Sequence, residues 1–163
     1  MLAPLLLLIA LPLRAEEVLF PAPAAPESEI VIYSSLDAAL VRPLIAAYQA
    51  GHPGVAIRYD DLLTGDLSDR ITAETDAGMT TADLAISSAM DLQVKLANDG
   101  YASAVDVAGA DNWPRWANWR DTAFALTLEP AVIVYHRPAF PDGPPADRAA
   151  LVDWLATTGP GRI

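Results

Sequence analysis

The chain has 163 residues, 53% of them hydrophobic, a formal net charge of −11 and no cysteine. That length suits one domain, or one lobe of a larger protein, with enough apolar residues to fill a core. The lack of cysteine excludes disulfides, thiolate catalysis and cysteine-ligated metal. Lys95 is the only lysine and the arginines do not cluster, so nucleic-acid binding and attachment to anionic lipid are excluded too.

Residues 1–13 read MLAPLLLLIALPL, an apolar run too short to span a bilayer. Arg14, Ala15 and the acidic Glu16 and Glu17 follow, which is the form of a secretory signal cleaved after Ala15. Pro4 and Pro12 argue against a buried helix there. Residues 16–28, EEVLFPAPAAPES, are rich in Pro and Ala and read as an exposed leader rather than a strand.

From Glu29 the pattern becomes regular. Ile30, Val31, Ile32 and Tyr33 form a β-branched, apolar run that ends at Ser34 and Ser35. Leu36, Leu40, Val41, Leu44, Ile45 and Tyr48 then recur at helical spacing, with a kink or restart expected at Pro43 and a stop at residues 51–54, GHPG. A second strand covers 55–59. Asp60, Asp61, Thr64 and Gly65 form its turn, and a helix through Leu67, Ile71 and Glu74 closes near Gly78. The third strand is 82–86, followed by Ser87, Ser88 and a helix over 90–98 capped by Gly100. Strands alternating with helices indicate parallel βαβ units, here an α/β lobe over 29–122. Residues 124–137, FALTLEPAVIVYHR, are β-rich and interrupted by Pro130, and suggest two strands that leave the first sheet and begin another lobe. A loop at 141–145 and a helix over 148–157 follow. The ending GPGRI, with no closing strand, reads as truncation of the segment 123–163.

The most informative feature is repeated. Twice a strand ends in Ser-Ser and a helix begins at once, in IVIYSSLDAAL and DLAISSAMDLQ. In open α/β sheets ligands bind beyond the carboxyl ends of the strands. A helix N-terminus there offers unpaired N–H groups and a partial positive charge. Two such ends, with their serine hydroxyls, suit phosphate, phosphonate or carboxylate without any Lys or Arg. The candidate ligand contacts are Ser34, Ser35, Asp37, Thr64, Ser87 and Ser88. Each serine also has an ordinary use as a cap for its own helix. Asp37 and Asp91, in the first helical turns, complement the helix dipole or meet a ligand amine or hydroxyl. Asp60 and Asp61 share the same sheet edge, where a solvated turn is the simpler role. His52, His136 and the Trp113, Trp116, Trp119 series lack a partner motif. The histidines read as structural and the tryptophans as one helical face. No HExxH, GxSxG, P-loop or GxGxxG motif occurs. The sequence thus offers a pocket without a catalytic constellation, and a serine hydrolase lacks a base placed beside either Ser-Ser pair.

The segments IVIYSSLDAALVRPLIAAYQAGHPGV, ADLAISSAMDLQVKLANDGYA and LTLEPAVIVYHR resemble the periplasmic solute-binding proteins of ABC importers. They are most similar to the branch that holds ferric-ion binders and the phosphoglycerate transport regulatory protein. The resemblance implies a periplasmic-binding-protein-like lobe, with a largely parallel sheet flanked by helices and the second lobe truncated. It also implies export to the periplasm, a monomer, no cofactor, and either an ABC permease or a sensor-kinase ectodomain as partner. Ferric binders carry His where this chain has Asp37 and Glu where it has Ser88. Serine hydroxyls are poor Fe³⁺ ligands, so the paired serines imply a small organic anion rather than iron.

Overall fold

The computed structural model describes residues 16–109, 112–130, 132 and 134–157. The signal-like run over 1–15 and the terminal GPGRI lie outside the described residues. The chain divides into two compact units, Met1–Leu126 and Thr127–Ile163.

The first unit is built on β1 (Glu16–Phe20), β2 (Ser28–Ser34), α1 (Ala38–Gly51), β3 (Val55–Asp61), α2 (Thr64–Asp76), β4 (Leu84–Ile86) and α3 (Met90–Asp99). The sheet runs β1-β3-β2-β4. Strands β3, β2 and β4 are parallel, and β1 pairs antiparallel with β3. The expected α/β lobe with a largely parallel sheet is therefore what forms. One expectation fails: residues 16–20 are a paired edge strand, not a leader. Val18 and Phe20 alternate with outward Glu17 and Leu19, and Phe20 joins the core, so burial of this face outweighs the Pro-rich context that follows. Glu27 folds back as Ser28 enters β2. Its amide donates to the Gly54 carbonyl at 2.8 Å, and its exposed side chain lies over Gly54, where an added Cβ would have to displace it.

Each sheet face carries its own core. Ile32, Ile57, Tyr59 and Phe20 face Ala38, Val41 and Ile45 of α1. Val31 and Tyr33 face Leu67 and Ile71 of α2 and Leu96 of α3. This alternation of β2 between two covered faces is why it reads as one continuous apolar run. Helix α1 passes Pro43 without breaking. A proline removes one i→i−4 bond, and Pro43 and Ala39 both lie on the exposed side, where the freed carbonyl meets water. Gly100 ends α3 with φ of 90°, a left-handed C-cap.

After α3 the tryptophans do not line a helix. Pro114 leads into a 3₁₀ turn, Arg115–Ala117, and a short hairpin of β5 (Asn118–Trp119) and β6 (Ala123–Phe124). Trp113 packs on Phe124 and donates to the Ala125 carbonyl, Trp119 donates to Asn98 Oδ1, and Trp116 is exposed. The two strands expected over 124–137 also do not form. Of residues 125–130, 132 and 134–136, none is in a strand. Pro130 cannot donate to a ladder, and Leu126, Leu128, Val132 and Val134 are exposed, without a sheet face to pack on. In the second unit a 3₁₀ turn, Arg137–Ala139, precedes α4 (Arg148–Thr157), where a helix was expected. Phe140 packs against Tyr135 and Trp154.

Candidate functional site

Helix α1 links β2 to β3 on one side, and α2 carries the chain back across to β4 on the other side of β2. The strand order thus reverses about β2, and the crevice beyond its carboxyl end is where an open α/β sheet takes a ligand. The structure brings two of the candidate serines together there. The Ser35 hydroxyl donates to Ser87 Oγ at 3.1 Å, and the Ser35 amide donates to the Ile86 carbonyl at 3.0 Å. Ser87 Oγ also accepts from the Ala89 amide at 3.1 Å, just ahead of α3. Both serines are half-buried, just past the carboxyl ends of β2 and β4.

The candidates other than Ser88, which follows Ser87 directly, separate from that pair. Ser34 is fully buried and its Oγ accepts from the Leu36 amide at 3.0 Å, which is turn formation below the surface. Ser88 is exposed, and its carbonyl accepts from the Met90 amide. Thr64 is exposed at the start of α2, beyond β3, with β2 between it and β4. Asp37 is the N-cap of α1, one position before the first turn, and its Oδ1 accepts from the Ala39 amide at 2.8 Å.

The two helix ends are unequal. Asp61, at the end of β3, reaches the same terminus of α1, where its Oδ2 accepts from the Ala38 amide at 3.3 Å. Two carboxylates therefore sit on the positive end of α1. Helix α3 has Ala89 at its N-cap and no side-chain cap bond, with Asp91 in its first turn. Spacing alone did not reveal the role of Asp61. Its register partner Ser34, at the end of the neighbouring parallel strand, was the available signal.

Below the strand ends, on the α2 face, lies a polar cluster of which only Asp60 was weighed from the sequence, as part of a solvated turn; it is instead buried near the end of β3. Tyr33 and Asp60 are register partners. Arg70 donates to Asp60 Oδ2 and to Glu74 Oε1, each at 2.8 Å, and its guanidinium lies 4.1 Å from the centre of the Tyr33 ring. The Tyr33 hydroxyl donates to Glu74 at 3.0 Å. Burial raises the Tyr33 pKa, and its bond to Glu74 adds to that. Burial alone would raise Glu74, but the hydrogen bonds from Arg70 and Tyr33 outweigh it and hold the carboxyl below its ordinary range. Tyr59, also raised by burial, anchors the opposite face by donating to the Leu36 carbonyl. His52 stacks on Tyr48 with ring centres 4.3 Å apart. Among the described residues no three of His, Cys, Asp and Glu converge on a metal position.

Comparison with known proteins agrees with this fold. No curated protein matches. A solved structure from Agrobacterium tumefaciens, the substrate binding protein of an ABC transporter, is similar at 54% identity with a TM-score of 0.71. The likeness covers 87% of this chain and 43% of that one, so this chain spans less than half the length of that relative. The family model described as bacterial extracellular solute-binding protein matches residues 33–158, and the chain belongs to that family.

Proposed function

We propose that the chain supplies one wall of the solute site in an extracytoplasmic, periplasmic binding protein that delivers to an ABC permease. The solute is a small organic anion bearing phosphate, phosphonate or carboxylate. Its anionic group sits on the hydroxyls of Ser35, Ser87 and Ser88 at the start of α3. The observation that carries this is the Ser35–Ser87 hydroxyl pair, which joins the ends of neighbouring parallel strands at the point where strand order reverses. The inequality of the helix ends sets the orientation. Asp37 and Asp61 already neutralise α1, so a second anionic group there meets like charge, whereas a ligand hydroxyl or amine finds two acceptors. The part played is binding and presentation, with no step of bond making.

The test is an amide-resolved NMR titration of the ¹⁵N-labelled chain with inorganic phosphate, ethanolamine phosphate and ethanolamine. One wall of a cleft leaves much of a ligand in water, so affinity on the order of 1 mM is expected for the phosphates. Shifts should centre on Ser87, Ser88 and Ala89, with ethanolamine phosphate reaching Ala38 and Ala39 as well. Inorganic phosphate shifting only Ala38 and Ala39, or no residue beyond the strand ends, would refute the assignment.

A further inference from the structure

Helix α1 carries an outer face that does not suit water. Leu40, Leu44 and Tyr48 follow one another at i, i+4 spacing and Leu36 lies just ahead of the helix; all are exposed, Leu40 at 68% and Leu44 at 61%. Ala39, Ala46, Ala47 and Ala50 flank that row and are exposed too. Between Asp37 and Arg58 the only charged residue is Arg42, whose guanidinium is turned onto the Phe20 ring at 5.1 Å. The other helices of the same sheet differ: α2 presents Asp66 and Asp69, and α3 presents Asp91, Lys95 and Asp99. In a chain of net charge −11, a helix that is apolar on both its inner and its outer face is built to be covered on both.

We propose that this outer face of α1 seats further polypeptide of the same protein, an apolar helix or strand belonging to the additional length that the A. tumefaciens relative carries outside the shared segment. Size decides between a free and a tethered partner. The 14 residues of α1 make a cylinder about 21 Å long and about 10 Å wide, whose outward half offers roughly 400 Å² of accessible surface. Stable association of free partners needs about 800 Å² from each. A ridge this small holds an occupant whose effective concentration is raised by covalent connection. The alanines beside the leucine row leave shallow grooves that let a second backbone approach closely. More than half of the relative's chain lies outside the match, which leaves ample length for such a segment.

The chain has no cysteine, so Leu44→Cys introduces a single thiol whose maleimide labelling rate reports cover. Asp69→Cys, exposed on α2, and Val41→Cys, on the buried inner face of α1, are the open and closed references. In the 163-residue chain, Leu44→Cys should label as fast as Asp69→Cys. With this chain substituted for the matched segment of the A. tumefaciens protein, and equally at the aligned position of the intact A. tumefaciens protein, labelling should slow by at least about tenfold while the α2 reference is unchanged. Slow labelling at Val41 certifies that each preparation is folded, and the intact relative gives the answer if the substituted protein is not. Labelling of Leu44→Cys at the open rate in the longer proteins would overturn the proposal. So would protection in the 163-residue chain that grows with its concentration, which would assign the face to a second copy.

Discussion

Replacing Arg70 by Met tests whether the cluster under the crevice is a structural keystone. The substitution keeps a long apolar stem and removes the guanidinium that meets Asp60 and Glu74 at 2.8 Å each. The Asp60 side chain is only 3% exposed, and its Oδ1 has no hydrogen-bond partner among the described residues. Without Arg70, neither oxygen of that carboxylate is paired. Stranding a buried charge costs about 3–5 kcal/mol. The Arg70 side chain is 35% exposed, so solvent screens part of the attraction, and a loss of about 2–3 kcal/mol is expected at neutral pH. Urea unfolding followed by far-UV circular dichroism measures it as a lower midpoint at unchanged slope. One further outcome belongs to the same reasoning. Adding Asp60→Asn to Arg70→Met should recover at least half of the loss, because the amide needs no counter-charge. A loss under about 0.5 kcal/mol, typical of a surface pair, or a double variant no more stable than the single one, would show that the cluster is an ordinary surface ion pair.

Three other outcomes follow from the same structure. Glu74 has a folded pKa below its ordinary 4.5, so its contribution is complete above that value and is lost as pH falls through the lower folded one; Glu74→Gln should be less stable at neutral pH and show a flatter stability profile in acid by urea titration. Leu67, fully buried against Val31 and Tyr33, should cost about 3 kcal/mol when changed to Ala, and a loss under about 1 kcal/mol by the same assay would mean the α2 face collapses onto the gap. Ser87→Ala should weaken phosphate binding about tenfold in the NMR titration, by loss of a hydroxyl bond to a charged group, while Ser34→Ala should lower stability by about 1 kcal/mol and leave binding unchanged; the reverse pattern would exchange their roles.

Strands β2, β3 and β4 and helices α1, α2 and α3 were legible because each packs against a core, and packing imprints a period on the sequence; α4 forms where it was expected although none of its residues is buried. The edge strand β1 was not, because only Val18 and Phe20 turn inward and the prolines of residues 21–26 dominate the local composition. Its partner β3 lies almost 40 residues away, a pairing that no local pattern encodes. The opposite error occurred at residues 124–137. High β-propensity there reports a tendency to fit a pleated surface, and beyond Phe124 the described part of that stretch lies on none. At the site, the strand-end serines were visible as a repeat, but their inequality was not. Ser34 and Ser35 differ by one residue, and in a strand that one step separates a buried turn acceptor from a crevice hydroxyl. The Tyr33–Asp60–Arg70–Glu74 cluster left only a partial trace, the i, i+4 spacing of Arg70 and Glu74. Asp60 and Tyr33 meet through sheet register.

The inequality of the two helix ends can itself be put to the test through Asp61. Its carboxylate accepts from the Ala38 amide at the positive end of α1, beside the Asp37 cap. Asp61→Asn keeps an acceptor oxygen in place and removes one negative charge from that end. The helix loses a favourable dipole contact worth about 0.3–1 kcal/mol, so a small drop in stability is expected. Binding should change differently for two probes. Inorganic phosphate, repelled by nearby negative charge, should bind more tightly to the variant. Ethanolamine phosphate should bind more weakly relative to inorganic phosphate, because its ammonium loses one of its two anionic partners. A stability change without any difference between the probes would show that Asp61 serves only α1. The divergence of the probes would show that the acidic end of α1 and the open end of α3 act as the two poles of one site.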